Sequence, residues 1–156
     1  MKKFKISPDQ IYPFSSENSD ESVITFPLSG DVPVYDRETG KMNYRDFVID
    51  IDGRLFLIKP RNAAITGDGK NLNILASIPD RTMNYAEMVG WQIRCARQEA
   101  GLSCEELAER ANIRAKTVYM TESGNVNMKI DLICTLAEAL NMEVTLTPWS
   151  DTNITL

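Results

Sequence analysis

Four cations, Arg110, Arg114, Lys116 and Lys129, fall in one stretch of the chain that holds a single acid, Glu122. The chain as a whole carries a net charge of −5, and residues 85–150 hold six basic residues against nine acidic ones. A positive field can therefore exist on one face while the remainder repels anions. Such a local excess of guanidinium and ammonium groups suits a polyanion, with modest affinity per chain that leans on dimer formation.

Other chemistries find little support. The chain has no His, which removes the commonest general base and the Ser-His and Cys-His nucleophile pairs. Its three cysteines, Cys95, Cys104 and Cys134, include no CxxC pair, so a structural zinc site is not expected. Cys95 and Cys134 sit in apolar helical patterns and read as small buried thiols. Asp50-x-Asp52-Gly53 resembles a fragment of a calcium loop but lacks the later ligands, and a hairpin turn is the better reading. Gly67-Asp-Gly-Lys70 lacks the full phosphate-loop pattern and no helix follows, so it too reads as a turn. No metal, cofactor or enzymatic activity is expected.

At 156 residues the chain has room for one domain or two small ones. It is 43% hydrophobic and 25% charged, an ordinary globular composition. No apolar run approaches the ~20 residues that span a bilayer. The start, Met-Lys-Lys-Phe-Lys-Ile-Ser-Pro, lacks the apolar core of a signal peptide, so the expected location is cytoplasmic.

The elements that must position the cations divide into two halves. Residues 22–78 favour period two. Tyr44–Ile51 and Arg54–Pro60 flank Asp52-Gly53, the signature of a two-residue type I′ hairpin. With those two residues as the loop, Ile51 faces Arg54, Ile49 faces Phe56, Val48 faces Leu57 and Phe47 faces Ile58. Ser22–Leu28 and Val32–Tyr35 are candidate strands. Arg37-Glu-Thr-Gly40 reads as a turn, and Ala63–Thr66 with Leu72–Ile78 form a possible second hairpin around Gly67–Asn71. The expected result is a small antiparallel β domain over 1–80. Its first twenty residues, polar and broken by Pro8 and Pro13, read as a loosely packed arm.

Beyond a linker at Pro79–Met83 the period becomes helical. Asn84 with Glu87 and Ser103 with Glu106 are capping boxes that open two helices. Val89, Ile93, Ala96 and Ala100 share one face of the first, which Gly101 ends. The second buries Leu107, Ala108 and Ala111. A third runs from about Ala115 to Ser123, stopped by Gly124. Asn127 is a candidate cap for a fourth, with Ile130, Ile133, Cys134, Ala137 and Leu140 spaced for a core. Glu143–Trp149 alternates like a short strand. The fold class is α+β, with the helical domain at 84–150.

Ile93-Arg-x-x-Arg97, Gly101-Leu-Ser103, Glu106-Leu-Ala108, Ala111, Thr117-Val118, Glu122-x-Gly124 and Leu136-Ala-x-Ala-Leu140 resemble, without gaps, the Xre/Cro family of helix-turn-helix DNA-binding domains. The resemblance covers roughly residues 86–141. It implies a third helix in the major groove of double-stranded DNA. Carried over by position, the base-contacting residues are Arg114, Ala115, Lys116, Tyr119 and Met120. Arg114 and Lys116 suit guanine O6 and N7, and Ala115 a thymine methyl. A solvated helix face is the alternative for the two charges, and a partner chain for Tyr119 and Met120. Phosphate contacts fall to Ser103, Asn125, Asn127 and Lys129. Arg97 and Glu122 form a bracing ion pair. The family often has Ser or Thr where Arg114 stands, Gln at Cys104 and an aliphatic residue at Thr121.

The resemblance implies a transcriptional regulator acting as a homodimer on a palindromic operator. Met142, Val144 and Leu146 alternate with polar residues, as in a strand that pairs with its copy in a dimer. The alternative is an antitoxin-type interaction module whose N-terminal domain binds a toxin or other partner protein, with DNA binding serving autoregulation. No membrane association is expected.

Overall fold

The computed structural model describes residues 2–14, 20–125 and 127–146. The chain splits into two compact units, one from Lys2 to Met83 and one from Asn84 onward.

Among its described residues the first unit forms a six-stranded sheet of order β1-β6-β7-β8-β3-β2 and a two-stranded ribbon. The strands are β1 (Phe4–Lys5), β2 (Ile11–Pro13), β3 (Glu21–Pro27), β4 (Tyr35–Asp36), β5 (Lys41–Met42), β6 (Phe47–Ile51), β7 (Arg54–Ile65) and β8 (Asn71–Ser77). The β6–β7 hairpin has the register that its pattern dictates, from Ile51 opposite Arg54 to Phe47 opposite Ile58. Asp52 and Gly53 both take positive φ, 53° and 84°, as a type I′ turn demands. The Asp50 carboxylate accepts from the Gly53 amide at 2.7 Å, which ties the turn to its own strand.

Three features depart from the sequence reading. The sheet is mixed rather than antiparallel, because β1 runs parallel to β6. Residues 2–14 are not a loose arm: β1 and β2 occupy the two edges of the sheet. Phe4 joins Phe26 and Phe47 in a three-ring cluster of edge-on contacts with centroids 5.9–6.0 Å apart, each such pair contributing about 0.5–1.5 kcal/mol beyond burial. Ile6 is buried beside them. The third departure is that β7 does not stop at Pro60. It continues to Ile65 and exchanges β6 for β8 as its partner, with a register shift between Pro60 and Asn62. A bulge is where a strand tolerates a residue with no N–H to donate. Of the candidate strand 32–35 only Tyr35 is in a strand, in the ribbon that turns through Arg37–Gly40. The core is built from Ile24, Ile49, Ile58, Leu72 and Ile74, all fully buried, with Phe26, Phe47 and Phe56. The linker ends in order: Met83 is buried and its amide donates to the Leu55 carbonyl at 2.8 Å.

Among its described residues the second unit has four helices, α1 (Tyr85–Glu99), α2 (Cys104–Ala111), α3 (Ala115–Glu122) and α4 (Ile130–Ala139). Both capping boxes form. Asn84 accepts from the Glu87 amide at 2.8 Å, and Ser103 from the Glu106 amide at 3.0 Å. The core is Ile93, Cys104, Leu107, Ala108, Ala111, Val118 and Leu136. The cap of α4 is Lys129 rather than Asn127, and its side chain makes no capping bond. Residues 142–146 form no strand: a strand needs a neighbouring edge, and among the described residues none pairs with them. Thr147, Pro148 and Trp149, the rest of that candidate strand, lie outside the described residues. Among the described residues no helix is long and apolar enough to cross a membrane, and no group of three or more His, Cys, Asp or Glu is placed to hold a metal ion.

Candidate nucleic-acid interface

The turn between α2 and α3 is made by Asn112, which takes the left-handed conformation at φ 56°. Asn tolerates that region better than most residues. The Ile113 amide returns to the Ala108 carbonyl at 3.0 Å, closing the end of α2. Helix α3 then starts from Arg114, whose backbone is extended and whose side chain makes no capping bond. The guanidinium is therefore exposed rather than folded back on the helix start.

Two residues fix the inward face of α3. Val118 and Thr121 are fully buried. Thr121 stands where an aliphatic residue is usual, and its hydroxyl is satisfied by donating to the Thr117 carbonyl at 2.7 Å. This burial turns Lys116 and Tyr119 outward, with Met120 and Ala115 half-buried. Ala115 packs against the helical core, so it borders the outward face rather than standing on it. Lys116 and Tyr119 are exposed three residues apart along α3, Arg114 is exposed at its N-terminal end, and Ala115 and Met120 are half-buried.

The last residue of α3, Glu122, pairs with Arg97 of α1. Arg97 Nε donates to Glu122 Oε2 at 2.6 Å and Nη2 donates to Oε1 at 2.8 Å, while Nη1 donates to the Leu102 carbonyl at 2.9 Å. The two side chains are 12% and 8% exposed. The bonds to Glu122 raise the Arg97 pKa above its ordinary value. This pair joins the end of α1 to the end of α3 and holds the start of α2 between them. Cys104 Sγ lies 4.0 Å from both Glu122 oxygens, and burial, followed by that carboxylate, raises the thiol pKa.

Two features were missed in the sequence. Gly90, in the middle of α1, lets that helix approach the end of α3 so closely that a Cβ would lie 2.3 Å from the Thr121 carbonyl oxygen and 2.7 Å from that of Glu122. A glycine inside a helical pattern is itself the available signal for such an approach. The other is Glu105, in the first turn of α2, which accepts a hydrogen bond from the Tyr119 hydroxyl at 2.7 Å. No periodicity links residues on two different helices, so no local pattern announces it.

Of the expected phosphate contacts, Asn125, Asn127 and Lys129 are exposed along the α3–α4 connection. The Asn125 amide is already bonded to the Met120 carbonyl, at 3.0 Å. Ser103 is half-buried; its oxygen accepts from the Glu106 amide in the α2 cap, and its hydroxyl also hydrogen-bonds to the Glu105 carboxylate. Of the residues expected in a dimer strand, Met142 is 38%, Val144 42% and Leu146 98% exposed.

Residues 89–149 match a family described as a helix-turn-helix domain. A protein of Methanothermobacter thermautotrophicus that carries the name of an HTH-type transcriptional regulatory protein is 33% identical over 82 residues, which is 53% of this chain and 25% of that protein. The chain thus spans about a quarter of the length of that relative. The restriction-modification controller protein C.AhdI from Aeromonas hydrophila is 33% identical, over 37% of this chain and 88% of its own, with a TM-score of 0.36. The clp gene regulator ClgR from C. glutamicum is 23% identical, over 42% of this chain and 85% of its own, with a TM-score of 0.41. The family matched by residues 89–149 is related to the Xre/Cro group.

Proposed function

We propose that the chain is a transcriptional regulator that reads double-stranded DNA through α3, as a homodimer on a palindromic operator. The observation that carries this reading is α3 itself, where Arg114 and Lys116 are exposed with no ion-pair partner among the described residues, on a helix whose end is held by a buried ion pair. Arg114, Lys116, Tyr119 and Met120, with Ala115 at the border, meet base edges. Ser103, Asn125, Asn127 and Lys129 meet phosphates. Exposed Met142, Val144 and Leu146 pair with the same segment of a second copy, which supplies them with a strand edge.

The experiment is binding of the full chain to selected DNA fragments at several salt concentrations. Arg114→Ala costs about 1–3 kcal/mol on the preferred fragment if its base contact is bidentate. Lys129→Ala weakens all sequences about equally and flattens the salt slope by about one unit. A chain that ranks no fragment above random DNA at low salt, with both substitutions silent, overturns the reading. In that case the antitoxin-type module takes its place. What favours that second reading is the N-terminal unit, which has its own core and lies outside the helix-turn-helix match. A small protein co-purifying with the native chain is its signature.

A further inference from the structure

Tyr119 has one hydroxyl proton, and the structure shows where it goes. It is donated to Glu105 Oε1 at 2.7 Å, across from the first turn of α2 to the outward surface of α3. The direction of that bond is settled by charge. The bond holds the Glu105 carboxyl below its ordinary pKa and pushes the Tyr119 phenol above its own. Glu105 is therefore an ionised acceptor at neutral pH, and Tyr119 is the donor. A carboxylate has no proton to give back.

This commitment limits what Tyr119 can read. A free phenol rotates its proton to suit its partner and both donates and accepts. A phenol whose proton is held by a carboxylate offers only oxygen lone pairs to anything on its other side. In the major groove, guanine N7 and O6, adenine N7 and thymine O4 are acceptors, and only the amino groups of adenine N6 and cytosine N4 donate. The Glu105 carboxylate at the same place is also acceptor-only and repels the acceptor edges of guanine and thymine.

We propose that Glu105 is a positioning and specificity-determining residue. By holding the Tyr119 proton it converts Tyr119 into an acceptor-only reader, which selects an adenine or cytosine amino group at one operator position. This inference rests on the DNA-reading function proposed above and adds to it a donor–acceptor rule for one base.

The test is a base-preference profile, taken position by position on selected fragments, for the full-length wild type, Tyr119→Phe, Glu105→Ala and Glu105→Gln. Both side chains are exposed, so folding is not at stake. The wild type is expected to favour adenine or cytosine over guanine or thymine at one position by about two- to tenfold, the worth of a single hydrogen bond. Tyr119→Phe flattens that position and leaves the others intact. Glu105→Ala frees the phenol proton and brings guanine or thymine up to parity at the same position. Glu105→Gln, which has an amide that can donate to the phenol oxygen, also loses the amino preference, though it keeps the side-chain length.

A position lost in Tyr119→Phe that favours guanine or thymine in the wild type overturns the proposal. So does a Glu105→Ala profile identical to that of the wild type. In both cases the other positions still show a preference, and DNA reading itself stands. A wild type with no preference at any position overturns both readings together.

Discussion

Removing one member of the Arg97–Glu122 pair leaves the other charge stranded. Glu122 is 8% exposed, and in Arg97→Ala it loses two charge-assisted hydrogen bonds at 2.6 and 2.8 Å. The Leu102 carbonyl loses its partner in the same step. A buried charge deprived of its counter-ion costs about 3–5 kcal/mol. Against a total stability of about 5–15 kcal/mol for a domain, that is a large share. At about 4–8 °C per kcal/mol for a small domain the Tm falls by more than about 10 °C. The assay is urea and thermal unfolding of the full chain followed at the helical circular dichroism band, since the α-helices described belong to the second unit. Glu122→Ala is expected to cost as much as Arg97→Ala. The double replacement Arg97→Leu with Glu122→Leu is expected to cost less than either, because no lone charge remains. Added salt should change the single-variant deficits little, because a buried pair is poorly screened. A single variant that loses under about 1 kcal/mol, or a double variant that loses the sum of the two singles, would refute a bracing role.

Three further outcomes are expected. Gly90→Ala gains helix propensity of about 1 kcal/mol but forces a methyl against two carbonyl oxygens of α3; a net loss of about 1–3 kcal/mol in unfolding is expected, and a stabilised variant would mean that α1 and α3 are not packed as described. The Glu105 carboxyl, followed by nuclear magnetic resonance, should titrate below the ordinary value of 4.5, and Tyr119→Phe should return it toward that value. The sign follows from the direction of the shift: a carboxyl depressed in the folded state contributes stability above its unfolded pKa, and that contribution fades as pH falls through the folded one. Truncation after Leu140 should weaken dimer formation in sedimentation; a fully dimeric truncated chain would remove the tail from the interface.

What the sequence made legible was local. The capping boxes at Asn84 and Ser103 close within a single turn, and residue type alone states both partners. The β6–β7 register was legible because a two-residue loop leaves no freedom in the pairing that follows it. The parallel pairing of Phe4 with Ile49 was not, because a two-residue strand has no measurable period and its partner is remote. Pro8 and Pro13 argued for an arm, yet neither obstructs an edge position, and Pro13 itself closes β2. Ala115 was placed among base-contacting residues by its position in the motif, whereas its packing depends on the core beneath it. The tail pattern gave alternation without a partner, and alternation alone does not make a strand.

The sheet has a consequence for how the chain folds as it leaves the ribosome. Glu21 of β3 is paired with Ser77 of β8, and Phe4 of β1 with Ile49 of β6, so early residues wait for late ones. Synthesis proceeds at about 5–20 residues per second. During that interval β3 has only the short edge strand β2 as a partner, with Ile24 and Phe26 open to other chains. The helical unit follows afterwards and is built from contacts close in sequence, which form quickly. The slow, exposed step therefore falls in the N-terminal half, and fusions or deletions that delay the arrival of β8 should show first as aggregation of nascent chains, before any change in DNA binding.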